Sequence, residues 1–316
     1  MVEIVAEISC NHLGKLDRAL ESIDVAASVG ADAVKFQLWH QMSIGEHIIQ
    51  GGPWAGYTMA DMYLRAKTPA EWVPALFDQA RKSGIGCFFS VFDVESLTVL
   101  EANNCPRYKI ASFELVDLPL IRAVAGTGKP IVLSTGMASA DEIDLAVQAC
   151  GHDLTLLHCV SAYPAKPGGL LRGMAKLRHH HGWSCRIGLS DHSLGIGVSV
   201  AAVALGAEMI EKHFTLSAEG LDSAFSLQPD EFRLLVTECR RAWEGLQDVG
   251  DQEAEHRMLR RSWYFRRALD AGHVLTDEDV VTARPALGLL PTVDIIGQVT
   301  SKPVVYGQPV TAECLS

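Results

Sequence analysis

Two histidines, His192 and His213, each follow a polar residue at the two-residue spacing of a β-strand, Ser190 before the first and Glu211 before the second. Residues at i and i+2 of a strand share a face, so Ser190 stands with His192 and Glu211 with His213. Two neutral imidazoles at neighbouring strand ends can hold one divalent ion and leave positions open for water and substrate. Two hydrogen-bonded core histidines would look the same, because ligands on separate strands have no diagnostic spacing. Lys35, with Gln37 on its face, and Lys109 also fall within apolar strand-like runs. A lysine is costly to bury alone, so each either pairs with a carboxylate such as Glu7 or Glu114 or meets an anionic ligand. Several hydroxyls nearby, at Ser112, Ser134 and Ser190, favour the ligand, and a phosphate plus a carboxylate would suit the site.

Other residues carry weaker signals. His179, His180 and His181 are consecutive and cannot share a helix face, which marks a solvated run. Gly195 and Gly197 fit a tight strand-to-helix turn more readily than a phosphate cradle. Trp54, Tyr57 and Trp72 either line a pocket or pack a loop.

Something must bring these positions together. Apolar, β-rich runs recur at residues 4–9, 33–39, 86–92, 108–112, 130–135, 154–160, 186–191 and 209–215, separated by stretches of helical composition. Eight such units without a Gly-rich dinucleotide fingerprint predict a closed (β/α)8 TIM barrel rather than an open doubly wound sheet, with the chemistry at the C-terminal strand ends. The last helix should bury Phe232, Leu235, Val236, Cys239, Trp243 and Leu246 along one stripe. The long connection 40–69, with Gly51, Gly52, Trp54, Gly56 and Tyr57, suits a lid over a pocket. Residues 1–247 read as the barrel, 248–261 as a charged linker, and 262–316 as a small β-rich domain.

Composition narrows the class. With 48% hydrophobic and 21% charged residues among 316, the chain reads as globular, and no apolar run approaches the roughly 20 residues of a membrane helix. A net charge of −11 repels nucleic acid. The eight cysteines form no CxxC pair and read as reduced filler. The start of the chain lacks the pattern of a signal peptide, which makes cytoplasmic residence the expectation.

The strand-end motifs together resemble the sialic acid synthase family: Ala6-Glu7-Ile8 with Asn11-His12, Ala31 to Gln37, Tyr108 to Ser112, Ser134-Thr135-Gly136-Met137, Gly188 to His192 and Ile210 to Thr215. The tail, with Arg261-Ser262, Arg284-Pro285 and Gly288, is similar to the antifreeze-like (SAF) domain that ends these synthases. The resemblance implies condensation of phosphoenolpyruvate with an amino sugar and water. It implies Lys35, Ser90, Lys109, Ser112, Ser134, Ser161 and Ser190 around phosphoenolpyruvate, and Gln37, Glu114, Tyr163, Asp222 and Phe225 facing the sugar. Glu7 would activate or position the water, and His192 and His213 would hold Mn2+ or Mg2+. It further implies a domain-swapped homodimer in which Arg284 reaches the sugar in trans.

Within that family the segments 54–57, 66–72, 161–164 and 224–227 are most similar to the pseudaminic acid synthase branch, whose sugar ends in a methyl where N-acetylmannosamine has a hydroxyl. Ser161 stands where the N-acetylneuraminate branch has asparagine. Ser90-Val91-Phe92 replaces the usual Ser-Thr-Pro-Phe, leaving Ser90 to serve for an absent threonine hydroxyl. The alternatives are an N-acetylneuraminate or legionaminate synthase, a Schiff-base aldolase through Lys35 or Lys109, and a carbohydrate-binding protein without activity.

Overall fold

Runs rich in Val, Ile and Phe favour extended backbone because branched and aromatic side chains pack well on a pleated surface. In the computed structural model, which describes residues 1–40, 47–151, 153–248, 250 and 253–316, the eight runs become strands. They are β1 (Glu3–Glu7), β2 (Ala33–Leu38), β3 (Gly86–Val91), β4 (Tyr108–Ile110), β5 (Ile131–Ser134), β6 (Leu154–His158), β7 (Arg186–Asp191) and β8 (Met209–His213). Neighbours in sequence pair in parallel, and β8 pairs with β1 to close the barrel. The helices are α1 (Leu16–Ser28), α2 (Met59–Ala66), α3 (Val73–Ser83), α4 (Val94–Ala102), α5 (Leu118–Ala125), α6 (Ala140–Cys150), α7 (Leu170–His181), α8 (Gly197–Ala204) and α9 (Pro229–Glu244). Apolar strand residues such as Ile4, Phe36, Phe89, Ile110 and Leu133 are fully buried, as expected where both faces of a parallel sheet are covered.

Local chemistry decides where the elements stop. β1 ends at Glu7 rather than Ser9, because Ser9 adopts φ 48° and the Asn11 N–H turns back to the Ile8 carbonyl (3.0 Å). That turn brings Ser9 and Cys10 to the barrel mouth. α9 starts at a capping box between Gln228 and Glu231 and buries Phe232, Leu235, Val236 and Cys239. Trp243 packs against the core. Leu246, expected on the same stripe, lies past Gly245 where the helix has ended, and is 52% exposed. The connection from β2 contains a helix that the sequence reading missed, α2, whose N-cap Thr58 accepts from the Asp61 N–H. Residues 41–46 of the expected lid lie outside the described residues.

A buried ion pair joins β7 to β8 on the outer face of the barrel. Lys212 Nζ lies 2.9 Å from Asp191 Oδ2, both side chains fully buried, and also donates to the Ser193 carbonyl. Ser199 Oγ donates to Asp191 Oδ2 (2.6 Å), and the Ser193 N–H and hydroxyl fill Asp191 Oδ1 (2.8 and 2.6 Å). A buried charge pair is tolerated when its remaining hydrogen-bonding capacity is satisfied in this way.

The chain divides into two compact units, Met1–Gln247 and Asp248–Ser316. In the second, β9 (Ser262–Phe265) and β10 (Val280–Ala283) form an antiparallel pair, and isolated bridges such as Leu269 with Val304 tie the loops together. Its own core contains Phe265, Leu275, Ile295 and Val310. Asp279 organises it, accepting from Arg267 Nε (2.7 Å), His273 Nε2 (3.0 Å) and the Thr276 N–H and hydroxyl (2.8 Å each).

The packing of β7 makes a test possible. A Cβ at Gly188 would lie 2.3 Å from the Met209 carbonyl and 2.7 Å from Leu157 Cδ2, so a neighbouring strand must move to admit a methyl group. Gly188→Ala should therefore destabilise the barrel by about 1–3 kcal/mol, read as a lower urea midpoint. An unchanged midpoint would show that the strand spacing is slack.

Candidate active site

Strand register assembles the floor of the pocket. Pairing puts Glu7 beside both Lys35 and His213, Ser90 beside Gln37 and Lys109, and Ser190 beside Glu211. Lys35 Nζ then lies 2.5 Å from Glu7 Oε2 and 3.8 Å from Glu211 Oε2, and donates to Ser90 Oγ at 2.8 Å. Lys109 Nζ lies 3.4 Å from Glu211 Oε1, which also accepts from Ser190 Oγ at 3.0 Å. Gln37 Nε2 donates to Glu7 Oε1 at 2.7 Å. The inward ion pairs expected as one use of the lysines are therefore present, with Glu7 and Glu211 as partners, and both lysines still line the pocket.

The charges respond to this crowding. Burial opposes the charge on Lys35, but Glu211 and Glu7 outweigh it and hold its pKa above the ordinary lysine value. Burial lowers Lys109, with Glu211 only partly offsetting it. Burial also raises Glu7, although Lys35 acts against it. Glu211 resists burial because Lys109 and Lys35 flank it, and falls to about 2. Ser134 Oγ and Glu114 Oε2, both at the pocket, are buried without a hydrogen-bond partner in the protein. An incoming ligand's polar groups could satisfy them.

In the same pocket the two histidine rings lie 5.5 Å apart. His192 Nδ1 is 3.1 Å from the Val160 carbonyl; a carbonyl only accepts, so Nδ1 carries the proton and Nε2 keeps its lone pair. His213 Nδ1 is 3.6 Å from Asp222 Oδ2 and has no hydrogen-bond partner. Burial lowers His192 to about 4 and His213 well below its ordinary value. Two neutral, buried imidazoles, one with its tautomer fixed by a backbone carbonyl, fit a divalent cation. Among the described residues no group of three or more His, Cys, Asp or Glu has a metal-holding arrangement, so these residues would supply two protein ligands.

Most of the expected site residues meet here. Ser112, Glu114, Tyr163 and Asp222 line the same pocket as the lysines and histidines. Three do not. Ser161 sits behind Cys159, its Oγ 3.9 Å from Sγ. Phe225 is 1% exposed and packs behind His213 and Tyr163, with ring centroids 4.8 and 5.1 Å away. Arg284, expected to come from a partner chain, is an exposed residue of the second unit.

The sequence reading missed an apolar belt at the mouth: Cys10, Trp39, Met62, Tyr63, Phe92 and Leu221. Met62 and Tyr63 come from α2, which the cap at Thr58 could have revealed. Trp54, left open between pocket and packing, lines the pocket, as does Cys159.

A closed parallel barrel with paired charges and hydroxyls at its C-terminal strand ends is a (β/α)8 enzyme scaffold with its site in the usual place. The chain belongs to the NeuB family, whose model matches residues 22–251, and a SAF domain matches residues 260–316. It is 39% identical to a pseudaminic acid synthase of Helicobacter pylori, covering 98% of this chain and 97% of that one. An N,N'-diacetyllegionaminic acid synthase of Campylobacter jejuni is 33% identical, over 90% of this chain and 91% of its own. Among solved structures, an N-acetylneuraminic acid synthetase of Leptospira borgpetersenii in complex with citrate superposes with a TM-score of 0.70 at 34% identity, covering 81% of this chain and 89% of that one.

Glu114 offers a test that is independent of ligands. Burial pushes its carboxyl from 4.5 up to about 8, so between those values the folded chain keeps a proton that the unfolded chain has lost. Stability must then fall as pH rises through this window. Glu114→Gln should flatten the fall, seen as a smaller drop in Tm between pH 5.5 and 8 than in the wild type. Equal drops would mean that Glu114 is ionised in the folded state.

Proposed function

We propose that this chain condenses phosphoenolpyruvate with a 2,4-diacetamido-2,4,6-trideoxyhexose and water, giving pseudaminic acid and phosphate. The observation that carries the reading is the pocket that two buried lysines share with two neutral histidines, in a chain with a pseudaminic acid synthase similar to it along nearly its whole length. C3 of phosphoenolpyruvate forms the new bond to the sugar's aldehyde carbon, water adds at C2, and phosphate leaves.

The residues divide this work. Lys35 and Lys109, with Ser90, Ser112, Ser134 and Ser190, hold the phosphoenolpyruvate anion. Gln37, Glu114, Tyr163 and Asp222 face the sugar. Glu7, accepting from Gln37 and paired to Lys35, positions the water. His192 and His213 hold Mn2+ or Mg2+; when bound, the ion supplies Lewis acidity at a carbonyl oxygen. A Schiff-base route is less suited to Lys35, because imine formation needs a neutral amine and two glutamates keep that lysine charged; through Lys109, which burial lowers, it is the rival that borohydride trapping with pyruvate would reveal.

The assembly proposed with this reading is a homodimer in which the SAF domain of one chain covers the barrel of its partner and offers Arg284 to the sugar. A cytoplasmic setting accords with phosphoenolpyruvate as substrate. Among the described residues no helix is long and apolar enough to cross a membrane.

Incubation with Mn2+, phosphoenolpyruvate and the trideoxy sugar should release one phosphate per product of the expected mass. EDTA should abolish release and Mn2+ restore it. Product with N-acetylmannosamine but none with the trideoxy sugar would move the assignment to the N-acetylneuraminate synthases. Full activity in EDTA would remove the metal from the mechanism.

A further inference from the structure

The pocket joins two environments of opposite character. Its floor is charged and hydroxylated, whereas Cys10, Trp39 and Ala66 form a separate buried apolar cluster at the mouth, with Tyr63, Phe92 and Leu221 packed on it. Trp54 extends this apolar surface. It comes from the long connection after β2 rather than from a strand end, yet it lines the pocket. Its Nε1–H is shared between the Leu221 carbonyl (3.1 Å) and Asp222 Oδ1 (3.2 Å). The indole lies 5.0 Å from the Tyr163 ring, which in turn lies 4.4 Å from His192. Phe225, 6.0 Å from the indole, backs both aromatic rings.

We propose that Trp54 is a specificity-determining residue, an apolar wall held in place by its N–H that selects acceptor sugars carrying methyl groups over those carrying hydroxyls at the same positions. The inference rests on the synthase reading above and names the part of the acceptor that this wall reads. A hydroxyl pressed against the indole and the Tyr163 ring would lose its water without gaining a partner, whereas a methyl group would gain contact there. One methyl in an apolar pocket is worth about tenfold or more in discrimination. Asp222, which also bonds Ser9 and Cys10, lines the same pocket, so the indole N–H ties the apolar wall to a carboxylate on its polar side.

The test compares Trp54→Phe and Trp54→Ala with the wild type, measuring kcat/KM for the 2,4-diacetamido-2,4,6-trideoxyhexose and for N-acetylmannosamine, and KM for phosphoenolpyruvate. Trp54→Ala should lower the ratio of the two kcat/KM values about tenfold while KM for phosphoenolpyruvate stays within about twofold. Trp54→Phe, which keeps an aromatic face and loses the N–H, should retain most of the ratio and raise KM for the trideoxy sugar. Equal losses with both sugars, an unchanged ratio, or a KM for phosphoenolpyruvate that rises in step would reduce Trp54 to loop packing and overturn the proposal. If Trp54→Ala does not fold, Trp54→Gln, which replaces the apolar wall by a polar side chain, takes its place with the same expected fall. A wild type that is active on the trideoxy sugar beside a variant with an unmoved ratio sinks this inference alone. A wild type that releases phosphate with neither sugar sinks the synthase reading and this inference together.

Discussion

Charge balance at the floor of the barrel is the constraint on which the site depends. Lys35, Lys109, Glu7 and Glu211 come from four different strands, and each is at least 95% buried. None could remain there alone, because an unpaired buried charge costs several kcal/mol. Held together they are two positive and two negative groups with Ser90, Ser190 and Gln37 supplying hydrogen bonds at their edges. The arrangement is neutral as a whole yet strongly polar at every point. An anionic substrate can therefore enter and exchange partners with the lysines without the protein first having to move charge into the barrel.

The outer face of the same strands explains why the geometry holds. Asp191 and Lys212 each precede a pocket histidine in sequence and point the opposite way, as strand alternation requires. Their ion pair, completed by Ser193 and Ser199, locks β7 to β8 directly behind His192 and His213. Polar residues on both faces of a strand end are unusual for a buried parallel sheet, and here each face has its own task. The inner face offers groups to a ligand, and the outer face has used all of its own on the protein.

Much of this was legible in the sequence, for reasons that differ by element. The barrel could be read because eight apolar runs recur with helical spacing between them, and side-chain parity placed Ser190 with His192 and Glu211 with His213. Pairing across strands was legible only in part: Glu7 could be named as a carboxylate for the lysines, but nothing local says which lysine it meets or that Glu211, rather than Glu114, reaches both, since register is set by closure of the whole sheet. Phe225 was expected to face the sugar, but the turn that packs it against His213 and Tyr163 is a tertiary outcome. The apolar mouth was missed because α2 is short and sits in a connection read as a loop, where propensity alone carries little weight. Ser161 stands two residues beyond Cys159, and it is the thiol that reaches the pocket.

Closure of β1 on β8 also has a consequence for how the molecule comes into being. Glu7 meets Lys35 and Gln37 on β2 early, but its register against His213, and the Asn11 side chain's bond to the Phe214 carbonyl across a separation of 203 residues, form only after β8 has been made. While the chain is being synthesised, the first three-quarters of the barrel carries Glu7, Lys35 and Lys109 with no Glu211 to complete the set, and water must serve in its place. Catalytic competence and the sealing of the sheet are therefore one event, arriving late and together. A partial barrel would have neither a finished core nor a rudimentary site, which leaves little room for a truncated product that binds substrate without turning it over.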